Sequence, residues 1–344
     1  PKNNDDAARP RGGRSVGRSY PHYGRLTSRP PMPLLLSSGL KLAQEQASRA
    51  SLPDFSGLVA AVVAQQADRS LERFFSHHKC SHIYLDVGTN LGVQIRKLAE
   101  PHKYPGAPML EHFRALFGPS PWCHVCAIGF EPNPAHSQRL HMLETRLRAA
   151  HAPPFFLFRA AASDADSALG FLQRGYQGDH SRHLRTRNLK LASSLESGAN
   201  AYTNASRPRN YVPTVDLARV VHTAHASLME KHGGQRAGSK LLMKLDVEGS
   251  ETSILLHLVR SQALCLIDAV KIEWHRAVPN WIVPEGSVGV SVLGNVTEEV
   301  QQLFQRVFGA KHRDCRTTLD RMDDETFYRD GQGWPSKHIC TNSS

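Results

Sequence analysis

The sequence predicts a doubly wound α/β fold with a mostly parallel sheet, and three observations carry that expectation. Strand-like runs alternate with segments of helical period along the middle of the chain. Two of the runs end in an acid followed by a turn, the arrangement found at the carboxyl-end crevice of open α/β sheets. The chain has 344 residues, 40% of them hydrophobic, enough for one substantial core. We expect one folded domain over 55–335, a basic arm at 1–50 and a short tail at 336–344.

The arm holds nine Lys/Arg against three Asp/Glu, with Pro and Gly scattered from Arg9 to Pro33, and has too little to bury to fold alone. It is Arg- and Ser-rich like a transit peptide, yet the chain begins at Pro1, so no targeting is read from it. Residues 55–75 carry Leu58, Val59, Val62, Val63, Leu71, Phe74 and Phe75 at helical spacing, which predicts an amphipathic helix opening the domain. Strands are expected at 83–87, 125–130, 155–160, 240–247 and 266–274. Helices are expected at 91–99, 135–149, 215–231, 251–260 and 298–308. The first four are crossovers between parallel strands, with Thr214 and Ser250 as N-caps. Residues 101–124 and 173–213 read as insertions. The second is polar and basic through Arg174, Arg182, Arg185, Arg187 and Lys190, and reads as a long insertion over a site or a mobile lid.

A formal charge of +11 and a pI near 9.6 favour an acidic partner without identifying a reaction. No run reaches the ~18 apolar residues of a membrane span. The six cysteines (Cys80, Cys123, Cys126, Cys265, Cys315, Cys340) lack paired metal-ligand spacing. The lone Cys123-x-x-Cys126 reads as packing or a disulfide before zinc or redox chemistry. Sequons at Asn204, Asn295 and Asn342 accept glycans only in the secretory pathway. With the even cysteine count they lean the chain toward a Golgi-type lumen, organelle targeting by the basic arm being the alternative.

In Asp86-Val87-Gly88-Thr89-Asn90-Leu91-Gly92 a buried strand ends in an acid, turns on a glycine and enters a helix. Gly88 lets the backbone pass close to a ligand, and Asp86 can hold a cationic amine or order the turn. Alone, this loop is equally a structural turn. A second strand ends at Glu131 and leads through Pro132-Asn133-Pro134 into a helix, and an acid there can accept from both hydroxyls of a ribose. The three-glycine fingerprint of dinucleotide sites is absent. A third strand end, Ala161-Ala162-Ser163-Asp164, either faces an adenine or is a solvated turn.

These residues resemble the FkbM-type methyltransferases, a branch of class I enzymes acting on hydroxyl groups of sugars and polyketides. The resemblance rests on five stretches in family order: LDVGTNLG (85–92), GFEPNP (129–134), AASDADSALGF (161–171), VPTVDL (212–217) and MKLDVEGSE (243–251). Ser193-Ser194-Leu195 is a further shared feature, and the likeness covers roughly residues 80–275. It implies a sheet of about seven strands, S-adenosyl-L-methionine as donor and O-methylation as the chemistry. Asp86, Gly88, Thr89, Asn90 and Gly92 would form the loop on the methionine side. Glu131, with Asn133 beside it, would take the ribose, and Ser163 and Asp164 would lie near the adenine. Asn90 stands where the general class I loop has its middle glycine. Neither the arm nor the stretches 101–124 and 173–190 match the family, which leaves the acceptor open.

On the acceptor side, the strand 240–247 should be apolar if covered on both faces, yet it carries Lys244 and Asp246 and ends at Glu248. The next strand places Lys271, Glu273 and His275 at every second position, so each set occupies one face. A mutual ion-pair network is the ordinary reading, because buried charges persist only when paired. The catalytic reading takes His275 as general base for a poorly acidic hydroxyl, with Asp246 or Glu273 orienting it or replacing it. A divalent cation held by the same acids is the less favoured variant. Glu251 suits a helix N-terminus, and Trp274 and Trp281 suit either a sugar face or the core. The leading expectation is an O-methyltransferase for a glycan or other small hydroxylated acceptor, with the basic insertion gripping acidic groups. A nucleic-acid methyltransferase is the enzymatic rival, though an Asn-Pro-Pro-Tyr-like loop is missing. A non-catalytic binding protein is the other, against which the intact DVGTNLG and KLDVEGSE stretches argue.

Overall fold

The computed structural model describes residues 55–120, 122–173, 193–195, 210–231, 238–248, 250–273, 315–322, 324 and 339–340. The arm at 1–50, the helix expected at 298–308, His275, Trp274, Trp281 and all three sequon asparagines lie outside them.

A helix α1 (Phe55–His77) precedes strand β1 (His82–Val87). There follow α2 (Val93–Ala99), α3 (Pro108–Phe117), β2 (Val125–Phe130), α4 (Ser137–Ala149) and β3 (Phe155–Phe158). Next come β4 (Ala161–Ser163), β5 (Ser167–Gln173), β6 (Ser193–Leu195), β7 (Asn210–Asp216) and α5 (Leu217–Lys231). The chain continues through β8 (Leu241–Leu245), α6 (Glu251–Arg260), β9 (Ala269–Ile272) and β10 (Thr318–Arg321). Six strands form one sheet in the order β10-β9-β8-β1-β2-β3, every pair parallel. Six of the about seven strands expected for this sheet lie among the described residues. A second sheet, β4-β7-β5-β6, mixes parallel and antiparallel pairs.

Alternation along each strand explains the layering. Ile83, Leu85 and Val87 join Ile128, Phe130, Met243, Leu245 and Val270 in a core that also takes Val59, Val63, Leu71, Val220, Val221, Leu255 and Leu258, so α1, α5 and α6 cover that face. Tyr84, Val125, Ala127 and Leu242 belong to a second core with Ile95, Leu98, Phe113, Leu140 and Leu143, so α2, α3 and α4 cover the other. Helices on both faces make the sheet doubly wound.

The stretch 101–124 is not a plain insertion. It contains α3, which starts with Pro108 at its first turn and stops at Gly118 with φ 82. Met109, Leu110, Phe113 and Phe117 of this helix are buried, each worth about 1.5–3 kcal/mol of apolar burial. Within the span 173–213 the described residues include β6 and the first residues of β7. The run expected at 155–160 ends as a strand at Phe158, and β4 then joins the other sheet. The N-caps also differ. Thr214 sits inside β7 and donates to the Ala165 carbonyl at 2.9 Å, while the Asp216 carboxylate accepts from Ala218 N at 2.9 Å and Arg219 N at 3.3 Å. Ser250 precedes α6 but makes no side-chain cap bond.

All six cysteines are paired, as Cys80–Cys126, Cys123–Cys340 and Cys265–Cys315. The two cysteines of the C-x-x-C stretch therefore bond to different partners. Residues 339–340, read from sequence as tail, are bonded to the domain, with Ile339 N donating to Ala150 O at 2.7 Å and Cys340 N to His151 O at 3.1 Å. No helix among the described residues is long and apolar enough to cross a membrane.

Candidate functional site

The carboxyl ends of β1, β2 and β8 meet at one place because the loop after β1 is hydrogen-bonded to both neighbours. Gly88 N and Thr89 N donate to Phe130 O at 3.2 and 2.9 Å, and Asp246 N donates to Val87 O at 2.9 Å. The loop bends by left-handed residues at alternate positions: Gly88 at φ 89, Asn90 at 52 and Gly92 at 79. Asn tolerates this region better than most side chains. Gly88 has no alternative, since a Cβ there would fall 1.7 Å from the Asp246 carbonyl oxygen. Thr89 knits the turn, its Oγ1 donating to Asp86 O at 2.8 Å and accepting from Phe130 N at 2.9 Å.

Glu131, 7% exposed, continues the same construction from β2. Its Oε2 accepts from Asn90 N at 2.6 Å and its Oε1 from Asn133 N at 2.8 Å, with His136 Nδ1 3.5 Å from Oε1. Asn133 Oδ1 in turn accepts from Ala135 N at 3.0 Å, capping the short helical turn Pro134–His136. A carboxylate oxygen has more than one acceptor direction, so these bonds leave Glu131 able to take further donors.

Asp86 is fully buried. Tyr84 donates its hydroxyl to Asp86 Oδ1 at 3.0 Å, and Oδ2 has no hydrogen-bond partner among the described residues. Burial pushes the Asp86 carboxyl up to about 6, against the opposing pull of the Lys244 ammonium and the Tyr84 hydroxyl. Gln94, in the first turn of α2, presents a second buried acceptor, Oε1, without a partner among the described residues.

The charged residues on the Tyr84 face form one row. Asp86 of β1 is in register with Lys244 of β8, which is in register with Lys271 of β9, which is in register with Asp320 of β10. The side-by-side arrangement expected of the two polar sets is therefore present. Lys244 donates to Asp246 and lies 3.9 Å from Glu273 Oε2. Burial works to lower its pKa, but Asp246, Asp86 and Glu273 together outweigh burial and hold it above the ordinary lysine value. Lys271 donates to Asp320. Behind the row, Lys97 of α2 pairs with Asp324 at 2.8 Å, both side chains 0% exposed.

Asp86, Gly88, Thr89, Asn90, Gly92, Glu131 and Asn133 are thus gathered in one construction, with Lys244, Asp246 and Glu273 beside it. Asp246 and Glu273 are about one-fifth exposed, with side-chain values of 18% and 20%, whereas Lys244 is buried. Glu248 follows in the left-handed region at φ 57. Ser163, buried, and Asp164, exposed, stand at the end of β4, with Ser163 Oγ donating to Asp164 Oδ1 at 3.1 Å. Glu251 opens α6 and is buried. Tyr84, Gln94, Lys97, Asp320 and Asp324 were not singled out from sequence. Tyr84 alone carried a signal, because it stands two residues before Asp86 and so shares its face. Among the described residues no group of three or more His, Cys, Asp or Glu is placed to hold a metal ion.

No family model matches the chain, and no curated protein or solved structure matches it.

Proposed function

We propose that this chain is an S-adenosylmethionine-dependent methyltransferase that transfers the methyl group to a hydroxyl of a glycan or another small hydroxylated acceptor. The observation that carries the reading is the fully buried Asp86, with one oxygen unpartnered among the described residues, beneath a left-handed loop at the carboxyl end of the central strands. A buried carboxylate oxygen without a partner is costly, and a cationic donor from a ligand would satisfy it. The amino group of the methionine moiety is such a donor. Glu131 fits the ribose hydroxyls, and Gly88 and Gly92 let the loop turn through left-handed conformations close against Asp246 and Leu143. Ser163 and Asp164 would serve the adenine.

When bound, this cofactor supplies an electrophilic methyl group on a sulfonium. The protein's task is then to hold the acceptor oxygen in line and to take its proton. Asp246 and Glu273 are carboxylates at the carboxyl ends of adjacent strands, held by the same ammonium of Lys244. His275 follows Glu273 by two residues and is our choice of general base, with Asp246 or Glu273 orienting it. Glu248 stands two residues after Asp246 in the chain and is a further acid on this side. The excess of basic residues suits an acceptor bearing acidic groups. Three disulfides that use every cysteine support an oxidising, lumenal compartment for this reaction.

Calorimetric titration of the oxidised protein with S-adenosylmethionine tests the cofactor. Binding that is lost in Asp86→Ala and Glu131→Ala supports the reading. Failure of the unaltered protein to bind, or undiminished binding by both variants, overturns it. Methyl transfer from labelled cofactor onto a panel of glycans, hydroxylated metabolites and RNA then identifies the acceptor class.

A further inference from the structure

Beside the row of charges at the sheet centre stands a buried tyrosine. Tyr84 is 0% exposed and lies on the same face of β1 as Asp86. Its ring meets Phe113 of α3 edge-on, with centroids 5.0 Å apart at 80°. Phe113 is itself braced by Trp122, edge-on at 5.2 Å, and by Phe117, stacked at 5.9 Å. The phenol therefore has little freedom to turn, and the stretch 101–124 fixes where its oxygen stands. A buried phenol needs a partner for its hydroxyl, and the partner here is the carboxylate placed under the loop.

One Asp86 oxygen is occupied by Tyr84, and the other has no hydrogen-bond partner among the described residues. A carboxylate held by one oxygen cannot rotate freely about its bond to Cβ, so the direction of the second oxygen is set as well. The other charged groups around Asp86 are Lys244 of β8, Asp246 just after it and Lys97 from α2, with Asp324 near Tyr84. Lys244 is committed to Asp246, and Lys97 to Asp324. Tyr84 thus supplies the hydrogen bond that orients the carboxylate, while the two lysines supply charge.

We propose that Tyr84 is a positioning residue: it holds Asp86 by one oxygen so that the other receives the cationic amino group of the cofactor, and α3 sets that affinity through Phe113. This rests on the cofactor reading above. Tyr84 also donates to the ionised form of Asp86, which lowers the carboxyl from the higher value that burial alone would impose. Affinity for an amine-bearing ligand therefore rises as pH rises through about 6, the region in which Asp86 ionises.

The test is calorimetry of the oxidised protein and its Tyr84→Phe variant at pH values on either side of 6. Two probes are used: S-adenosylmethionine and 5′-methylthioadenosine, which keeps the nucleoside but lacks the amino acid. Tyr84→Phe is expected to weaken S-adenosylmethionine roughly tenfold near neutral pH, the scale of one hydrogen bond to a charged group. It should also shift the midpoint of the pH dependence upward and leave 5′-methylthioadenosine binding unchanged. Equal loss for both probes, or no loss with an unmoved midpoint, overturns the proposal. If the unaltered protein binds neither probe, the cofactor reading falls and this proposal with it. Should Tyr84→Phe not fold, Phe113→Leu, which loosens the ring and keeps the hydroxyl, must give the same selective loss in smaller measure. Equal effects on both probes in that variant likewise overturn it.

Discussion

The carbonyl oxygen of Asp246 lies 1.7 Å from the point where a side chain on Gly88 would place its first carbon. The loops after β1 and β8 are therefore in backbone contact, and their spacing is set by the missing side chain. Gly88→Ala must push the loops apart while also forcing alanine to φ 89. A loss of at least about 2 kcal/mol in denaturant unfolding is expected, together with loss of affinity for the proposed cofactor. A variant as stable as the parent would show that the loops separate freely.

Asp86 is ionised at neutral pH against its burial. Its folded pKa, about 6, lies above the ordinary 3.8, so its contribution to stability is fully present below 3.8 and is lost as pH rises through 6. The gap corresponds to about 3 kcal/mol at neutral pH. Asp86→Asn should therefore stabilise the ligand-free protein by about 1–3 kcal/mol near pH 7 and give little gain in acid, while abolishing binding of the proposed cofactor. Thermal unfolding across pH checks the sign, and a variant less stable at neutral pH than at acid pH, relative to the parent, would refute it.

Removing the Lys244 ammonium would leave Asp86, Asp246 and Glu273 without their shared counter-charge. Lys244→Met is expected to cost about 3–5 kcal/mol. Adding Asp246→Asn should recover part of that loss, a coupling readable from a double-mutant cycle.

Thr89→Val keeps the shape of the side chain but removes both hydrogen bonds of its hydroxyl. The buried Phe130 amide then loses the acceptor that Thr89 Oγ1 provides, at a cost of about 1–3 kcal/mol. Thr89→Ser should restore most of the stability, because it returns the oxygen.

Breaking Cys265–Cys315 with paired serines frees the approach to β10, whose Asp320 serves Lys271. A loss of about 2–4 kcal/mol is expected. Denaturant titration of the oxidised paired variant against its parent reads it, and coincident midpoints would refute it.

What the sequence disclosed depended on how local the determining contact is. The strand at 125–130 and the helix at 251–260 stand where their patterns place them, because burial period and helix start are written in consecutive residues. The loop of Asp86, Gly88 and Asn90 was legible for the same reason. The partners of the buried lysines were not. Lys271 takes Asp320, 49 residues on, and Lys97 takes Asp324 from the same distant segment, so no local pattern announces either pair. The helix α3 could have been read from Pro108, Gly118 and the spacing of Met109, Phe113 and Phe117. The lack of family likeness over 101–124 hid it. Thr214 failed as a cap because β7 runs through it, and the acid two residues later does the capping.

The bridge from Cys123 to Cys340 joins positions 217 residues apart. Cys123 belongs to the approach to β2, which has been synthesised before β3, β8 and β9 exist. Its bond must wait until Cys340 has emerged from the ribosome. The domain can begin to assemble during translation before this covalent constraint closes. Until then Cys123 is an unpaired thiol three residues from Cys126, itself destined for Cys80. The order in which these thiols are oxidised therefore matters to the yield of correctly paired protein, and slow translation ahead of Cys340 prolongs the interval in which Cys123 can capture the wrong partner.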